Sequence, residues 1–388
     1  ALRYAVLLAN FVGFVAVGAL GRLWFGRWGD VGAMTLVLLP GELTVRSGVV
    51  MNDLPAMTLG LLALWAGTLS RLRNAYGWLA FSAAACASML LVHPMLIVLV
   101  LPLASVQLVS AGRSLNRPAF RSMVIRAFLF GVVVLLILMI VILQVDLEGF
   151  RHWVLDYNTR PIDPDLDGDS DRPGAFLVGY LGEHGGLVAV VLVGIVLLSR
   201  SHASRPWIAV AALWMIAVCA LLLISRPLRP HYRVFLLYPL ALVGGGALGR
   251  VARWGVDCRD GRYHLSHIDT VLSIATMVTF VVGSYYEVPA ELPWPIWPVA
   301  ADTFTTRLQE LTQTTDFVVT DDPFLAFAAG RHVPPNLADT SYKRVLTGMM
   351  TTGTVVREVI DHNAPLLVRT GGRFGALRAF DRALDAIS

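Results

Sequence analysis

Residues 39–57 read LPGELTVRSGVVMNDLPAM, a polar stretch between two apolar runs. It contains Glu42, Arg46 and the pair Asn52-Asp53, which are unusual residues for a membrane segment. An ionisable residue at membrane depth costs about 2.5–3.5 kcal/mol on insertion scales, so it faces protein or water rather than lipid. Asp53 is therefore the leading candidate for a functional carboxylate, and Asn52 and Glu42 are candidates to assist it.

The composition is that of an integral membrane protein. Of the 388 residues, 56% are hydrophobic and 15% are charged, and the mean hydropathy is +0.65. A soluble globular protein carries about 25% charged residues. The net charge of +4 does not indicate a nucleic-acid partner. The arginines lie in short loops between apolar runs, as the positive-inside rule predicts for the loops of a membrane protein. The chain begins inside an apolar run without Met, which predicts that its natural N-terminus is missing.

The hydropathy pattern predicts about ten membrane-crossing helices, each needing about 20 apolar residues. In chain order they are Leu2–Leu20, Val31–Val45, Leu54–Leu69, Trp78–Val92, Met95–Ser110, Ala127–Val145, Gly185–Ser199, Trp207–Ile224, Val234–Leu248 and Thr270–Tyr286. The run from Trp78 to Ser110 is divided at His93 because Pro94 disfavours a continuous helix there.

The arginines orient these helices. If the run 78–110 crosses twice, all of the basic loops fall on one side, which the positive-inside rule assigns to the cytoplasm. These arginines are Arg22, Arg27, Arg71, Arg73, Arg113, Arg117, Arg121, Arg126, Arg200, Arg205, Arg250, Arg253, Arg259 and Arg262. The extracytoplasmic side then holds Asp53, His93, the loops 146–184 and 226–233, and everything after Tyr286.

The fold class predicted is a polytopic α-helical membrane protein with a small C-terminal extracytoplasmic α/β domain. Residues 1–287 form the multi-span part, and residues 288–300, rich in Pro and Trp, form an interfacial linker. From residue 301 to 388 short strand patterns alternate with helical ones, which indicates an α/β domain.

Several candidate residues of the first stretch have a simpler structural interpretation. Asp is a good helix N-cap and Pro55 suits an early helical position, so the alternative role of Asp53 is to begin a helix, although a catalytic carboxylate can also cap. Arg46 suits a phosphate through bidentate hydrogen bonds, but it also suits Glu42, four residues earlier on one helical face. His93 is either a structural histidine or a phosphate ligand.

A second candidate cluster lies at residues 226–233, RPLRPHYR. Arg226, Arg229, His231 and Arg233 break the positive-inside trend on the extracytoplasmic side. A lipid-linked phosphate would explain them, because guanidinium groups match phosphate oxygens. Contact with lipid headgroups at the bilayer surface is the alternative.

An acidic loop suggests a divalent cation. Its side chains at alternating positions match the start of a calcium-binding loop, although position twelve is Gly174 instead of Glu. Bound Ca²⁺ and a solvated acidic loop both remain open for Asp163, Asp165, Asp167, Asp169 and Asp171. The sequence contains no P-loop, dinucleotide fingerprint, zinc-protease or hydrolase motif, so no nucleotide or dinucleotide cofactor is expected.

The chain resembles the polyprenyl-phosphate-dependent glycosyltransferases of the C superfamily, which include protein O-mannosyltransferases and lipid A aminoarabinose transferases. The residues that carry the resemblance are GRLWFGR at 21–27, LP at 39–40, SGVVMNDLPA at 47–56, LVHP at 91–94, RPLRPHY at 226–232, DP at 322–323 and GRHVPP at 330–335. His93 stands where many members carry Lys or Tyr.

The resemblance implies an inverting transfer of a hexosyl or pentosyl group outside the cytoplasm, at the plasma membrane. The donor is a sugar on a polyprenyl phosphate, and the acceptor is a hydroxyl of a glycan, lipid or protein. It implies that a carboxylate in the first extracytoplasmic loop is the base, that a second Asp, matched by Asp53, assists or binds metal, and that basic residues hold the lipid phosphate. In the family that first loop precedes the segment matched by Leu2–Leu20, so the base is expected upstream of this chain.

Two functions from other classes compete with this one. The first is a transporter or flippase for a lipid-linked sugar, and the second is a membrane-anchored scaffold. Transporters often show repeated halves with broken helices near the middle of the membrane. Here the unusual residues gather at one face and no second half mirrors the first, so the transferase ranks higher.

Overall fold

A computed structural model describes residues 2–39, 53–109, 117–144, 148, 151, 173–224, 230–260, 266–287, 299–369, 372–377 and 379–385. They divide into a helical unit drawn from residues 1–147 and 172–293, and a smaller unit drawn from residues 148–171 and 294–388. The predicted site residues that lie outside the described ones are Glu42, Arg46, Asn52, Asp163, Asp165, Asp167, Asp169, Asp171, Arg226, Arg229 and, in its side chain, His231.

Apolar helices build the first unit. Those described are α1 (Leu2–Phe25), α2 (Gly29–Leu38), α3 (Asp53–Arg73), α4 (Tyr76–Val92), α5 (Val100–Leu108), α6 (Arg117–Ile142), α7 (Pro173–Glu183), α8 (Gly185–Ser199), α9 (Arg205–Ile224), α10 (Val234–Arg259) and α11 (His267–Glu287). Two 3-10 helices cover Pro94–Leu99 and Pro230–Arg233. Every predicted span overlaps a helix, whereas α7 lies within what the sequence predicted as a loop.

The protein is a multi-pass membrane protein. Four of the described helices are long and apolar enough to cross a bilayer, namely Tyr4–Phe25, Phe120–Ile142, Arg205–Ile224 and Val234–Arg259, and the pair α7–α8, bent by 85°, would be a fifth. Shorter apolar helices cover Gly29–Leu38, Tyr76–Val92, Pro94–Leu108 and His267–Gly283. Because these are shorter than a full crossing, the count of about ten spans stays a prediction.

The predicted reversal of the chain at His93 is confirmed by bonds at the two ends of α3. At its start, Asp53 Oδ1 lies 3.0 Å from His93 Nε2. At its end, Arg71 Nε donates a hydrogen bond of 2.5 Å to the carbonyl oxygen of Val109, which follows α5. The chain therefore runs along α3 once before His93 and once after it.

Helix ends that carry arginines meet at the end of the bundle opposite the start of α3. Trp24 Nε1 near the end of α1 donates to Thr68 Oγ1 on α3, and the Trp24 ring stacks on Trp207 near the start of α9, with centroids 5.4 Å apart. Arg126 Nη1 on α6 donates to the Ser70 carbonyl. Among the described residues, the predicted basic side is thus one physical end of the unit.

Helices α2 and α10 are in backbone contact through glycines. A Cβ atom at Gly245 would overlap the backbone nitrogen of Ala33, and one at Gly32 would overlap the Gly245 carbonyl. Small residues allow helices to approach this closely in membranes, where van der Waals packing replaces the hydrophobic effect as the driving force for association.

We expect Gly245→Ala to destabilise the helical unit by about 1–3 kcal/mol, because the added methyl group forces two backbones apart. The measurement is thermal unfolding of the purified protein in detergent. Gly255→Ala is the matched control on the same helix, since its added Cβ meets none of the described atoms within 4 Å. An unchanged melting temperature for Gly245→Ala would show that the two helices do not touch there.

The smaller unit is built on a parallel sheet. Its described elements are α12 (Val299–Leu311), β1 (Val318–Thr320), α13 (Pro323–Ala328), α14 (Tyr342–Leu346), α15 (Thr352–Asp361), β2 (Leu366–Val368) and α16 (Phe380–Asp385), with β1 paired to β2. Successive strand residues face opposite sides, so Val318 packs in one core with Leu308, and Val319 packs in a second core with Val355. Helices therefore cover both faces of the sheet.

Two polar residues of this unit have structural roles. Asp322 is the N-cap of α13, and its Oδ1 accepts a 3.2 Å hydrogen bond from Phe324 N at the start of that helix. Arg331 caps the end of α12, with Nε donating to Thr312 Oγ1 at 2.7 Å and Nη2 donating to the carbonyls of Gln309 and Thr312. Arg331 thereby satisfies helix-terminal carbonyls that have no partner within the helix.

We expect Arg331→Ala to destabilise the smaller unit by about 2–3 kcal/mol, since several carbonyls lose a charged donor together. Limited proteolysis of the intact protein, followed by mass spectrometry of fragments from residues 299–385, reports the effect. Arg307→Ala on the same helix removes only an exposed pair with Glu310 and should leave the cleavage rate unchanged. Equal cleavage of both variants would contradict the capping role.

Candidate active site

Asp53 and His93 form a buried acid–imidazole pair. Asp53 is the first residue of α3 and His93 follows α4, and their exposed fractions are 4% and 7%. The distance of 3.0 Å between Oδ1 and Nε2 is that of a hydrogen bond. A buried charge persists only where a partner compensates its desolvation. The structure therefore brings together two residues that the sequence analysis had treated separately.

Aromatic rings fix the imidazole of His93. The ring lies edge-to-face against Phe235 and Tyr232, with centroids 5.8 Å and 6.4 Å away. The Tyr232 hydroxyl in turn contacts Met95 Sδ at 3.8 Å. Nδ1 of His93 is buried and finds no hydrogen-bond partner among the described residues. A buried polar atom in this state calls for a ligand or a water molecule, so this edge of the ring is suited to a substrate.

Arg233, next to Tyr232 in the chain, is held by α7. Its Nη1 pairs with the carboxylate of Glu183, and its guanidinium lies over the rings of Phe176 and Tyr180, 5.2 Å and 6.0 Å from their centroids. Nε of Arg233 is buried and has no hydrogen-bond partner within the described part of the chain. The guanidinium thus retains donor capacity beyond its bond to Glu183.

Among the predicted site residues with described side chains, Asp53, His93 and Arg233 gather at one end of the helical unit. Contacts run from Asp53 to His93 and on to Tyr232, the neighbour of Arg233. Sequence reasoning missed Glu183, which lies two residues before a predicted span on the same predicted side as Arg233. An acidic residue at the edge of an apolar run was the available signal.

Metal binding remains a prediction. In the described ranges, no group of three or more His, Cys, Asp and Glu side chains is arranged to hold a metal ion. Asp53 and His93 by themselves do not make a metal site, and the proposed calcium ligands at 163–171 lie outside the described residues.

The architecture matches a known membrane enzyme. ArnT from Cupriavidus metallidurans, solved in crystals with bound undecaprenyl phosphate, superposes with a TM-score of 0.56 over 95% of this chain and 75% of ArnT, at 14% sequence identity. The chain therefore shares the fold of ArnT. The resemblance inferred from short motifs is confirmed at the level of the fold, and the roles of individual C-superfamily site residues stay predictions for this chain.

A second solved structure also aligns. It is the oligosaccharyltransferase of Archaeoglobus fulgidus, tethered to an acceptor peptide through a disulfide bond, and it superposes with a TM-score of 0.48 at 12% identity, over 94% of this chain and 57% of that protein. The fold assignment depends on ArnT alone. No protein-family profile and no curated protein sequence matches the chain.

We expect His93→Leu to destabilise the helical unit by about 1–3 kcal/mol, because the buried carboxylate of Asp53 loses this hydrogen-bond partner. Thermal unfolding in detergent measures the change. His202→Leu serves as the control, since His202 is exposed and contacts Arg205 at the surface. A His93 variant as stable as the wild type would mean that the pair contributes no net stability.

Proposed function

We propose that the protein transfers a sugar from a polyprenyl-phosphate donor to a hydroxyl group of a glycan, lipid or protein acceptor, with inversion at the anomeric carbon. The observation that carries the proposal is the buried Asp53–His93 pair, at the end of a C-superfamily fold that also holds Arg233. ArnT shares this fold and binds undecaprenyl phosphate, which supports a polyprenyl phosphate as the carrier here.

The reaction is one displacement at the anomeric carbon. A base removes the proton of the acceptor hydroxyl while its oxygen bonds to that carbon. The bond between the carbon and the phosphate oxygen breaks, and the lipid phosphate leaves with the electron pair. A base, a positioned acceptor and charge stabilisation of the leaving group are the three requirements. We assign Asp53 a supporting role, in which its carboxylate orients the imidazole of His93.

The departing phosphate needs positive charge. Arg233 is half-buried beside the His93 site, and a guanidinium binds phosphate oxygens through two parallel hydrogen bonds. Arg226, Arg229 and His231 precede it in the chain, and with Arg46 they complete the proposed phosphate-binding group. His93 belongs to this group through its Nδ1 atom, which is buried and has no hydrogen-bond partner among the described residues.

We place this site on the extracytoplasmic side of the plasma membrane. Its support is charge, since the arginine-bearing helix ends lie at the opposite end of the unit and positive loops stay in the cytoplasm. In this orientation the chain crosses the bilayer about ten times. The linker 288–300 then leads to the unit of residues 301–388, which we propose as an α/β domain outside the cytoplasm.

Asp53→Asn in the full-length protein tests the proposal. We expect transfer of a radiolabelled sugar from a polyprenyl-phosphate donor to fall by about 100-fold or more, because the amide cannot orient the imidazole of His93 as the carboxylate does. The protein should still fold, which its thermal unfolding will show.

Asp30→Asn is the control, because Asp30 lies in the first turn of α2 at the arginine-rich end, and this variant should transfer at the wild-type rate. Unchanged transfer by Asp53→Asn would remove Asp53 from the mechanism. Movement of the lipid-linked sugar across vesicle membranes without any transfer would instead favour a transporter.

A further inference from the structure

We infer that Glu183 is a built-in counter-ion of Arg233 and that the phosphate of a polyprenyl phosphate displaces it on binding. The inference rests on the proposed function and assigns a role to a residue outside the predicted phosphate-binding group. Glu183 would thus set the affinity for the donor lipid without touching the reacting atoms.

The N–H groups of Arg233 that Glu183 does not use explain why phosphate can take the place of Glu183. A guanidinium has five N–H donors in a fixed fork. The carboxylate of Glu183 contacts it through Nη1, while Nε is buried and unpartnered among the described residues. A phosphate monoester carries more charge than a carboxylate and has several terminal oxygens, so it can engage Nε and a terminal nitrogen together.

Glu183 is the more exposed residue of the pair, so it is the one that phosphate displaces. The Glu183 side chain is 55% exposed, whereas that of Arg233 is 21% exposed. An exposed carboxylate is readily rehydrated, and exposed ion pairs contribute little net free energy. Arg233 is also held over the rings of Phe176 and Tyr180, so the guanidinium stays in position when the carboxylate departs.

The spacing of these residues couples phosphate binding to α7. Phe176, Tyr180 and Glu183 follow an i, i+4, i+7 pattern, which places them on one face of the helix, and all three contact Arg233. Glu183 is the last residue of α7, directly before the 85° bend into α8. Its displacement removes the ionic contact at the bend and leaves the ring contacts.

The experiment measures binding of undecaprenyl phosphate to the full chain in detergent, by native mass spectrometry. We expect Glu183→Gln to bind about two- to five-fold more tightly than the wild type, the range that loss of an exposed competing pair provides. In an Arg233→Gln background the same substitution should change nothing, since the two residues then share no interaction. Glu183→Ala gives a second reading, and should tighten binding in the same way.

Asp257→Asn is the matched control. It removes one acid from the same unit, where Asp257 pairs with Arg253 on α10, and it should leave the affinity unchanged. Undecaprenol, which lacks phosphate, should bind all variants equally. Binding of phosphatidylglycerol is measured in parallel to distinguish the donor lipid from ordinary headgroups. An equal gain in affinity for phosphatidylglycerol would overturn the assignment to the polyprenyl phosphate.

Two negative results are distinguishable. If the wild type binds undecaprenyl phosphate no better than undecaprenol, the proposed function fails and this inference falls with it. If the wild type prefers undecaprenyl phosphate but Glu183→Gln binds it equally or more weakly, only the counter-ion role is overturned.

Discussion

The 3.0 Å contact between Asp53 and His93 is the constraint on which the functional end of the bundle depends. A carboxylate inside apolar helices requires compensation, and one partner of Asp53, His93, lies 40 residues later in the chain. Meeting this requirement brings the start of α3 against the end of α4. It also places the reversal at His93 beside Phe235, in the first turn of α10, and Tyr232, which precedes α10. The candidate site and the local packing of α3 against α4 therefore share one electrostatic interaction.

The residues of the candidate site could be proposed from local composition. Asp53 is an acid within an apolar stretch, His93 precedes a proline in the middle of a long apolar run, and Arg233 breaks the charge bias of its side. These signals are one-dimensional, since each compares a residue only with its immediate neighbours. The confirmed reversal at His93 depended on the same kind of information, combined with the alternation of basic loops.

What joins these residues was not predictable in the same way. Asp53 pairs with His93, and Glu183 pairs with Arg233. Both pairs connect segments that are far apart in the chain, so no local sequence pattern encodes them. Helix α7 was missed because its 11 residues are too few for a membrane crossing and follow an acidic stretch. The contact of Gly32 with Gly245 likewise depends on which helices pack together, and apolar periodicity does not specify that.

The arginines at the opposite end do more than orient the protein. Arg126 is completely buried, and its guanidinium donates to the Ser70 carbonyl and to Asn74 Oδ1 while lying over the ring of Tyr76. It therefore fastens the connection between α3 and α4 to α6. A residue that the positive-inside rule explains by membrane potential and lipid charge is here also a fixed part of the interior.

The right-angled bend between α7 and α8 has a consequence for how a substrate arrives. If α8 runs along the membrane normal, α7 lies nearly parallel to the plane of the bilayer. The polyprenyl-phosphate donor proposed above moves by lateral diffusion with its phosphate at the bilayer surface. It can then approach Arg233 sideways, along the face of α7, without leaving the bilayer. The search for the site becomes two-dimensional, and only the sugar has to extend into water.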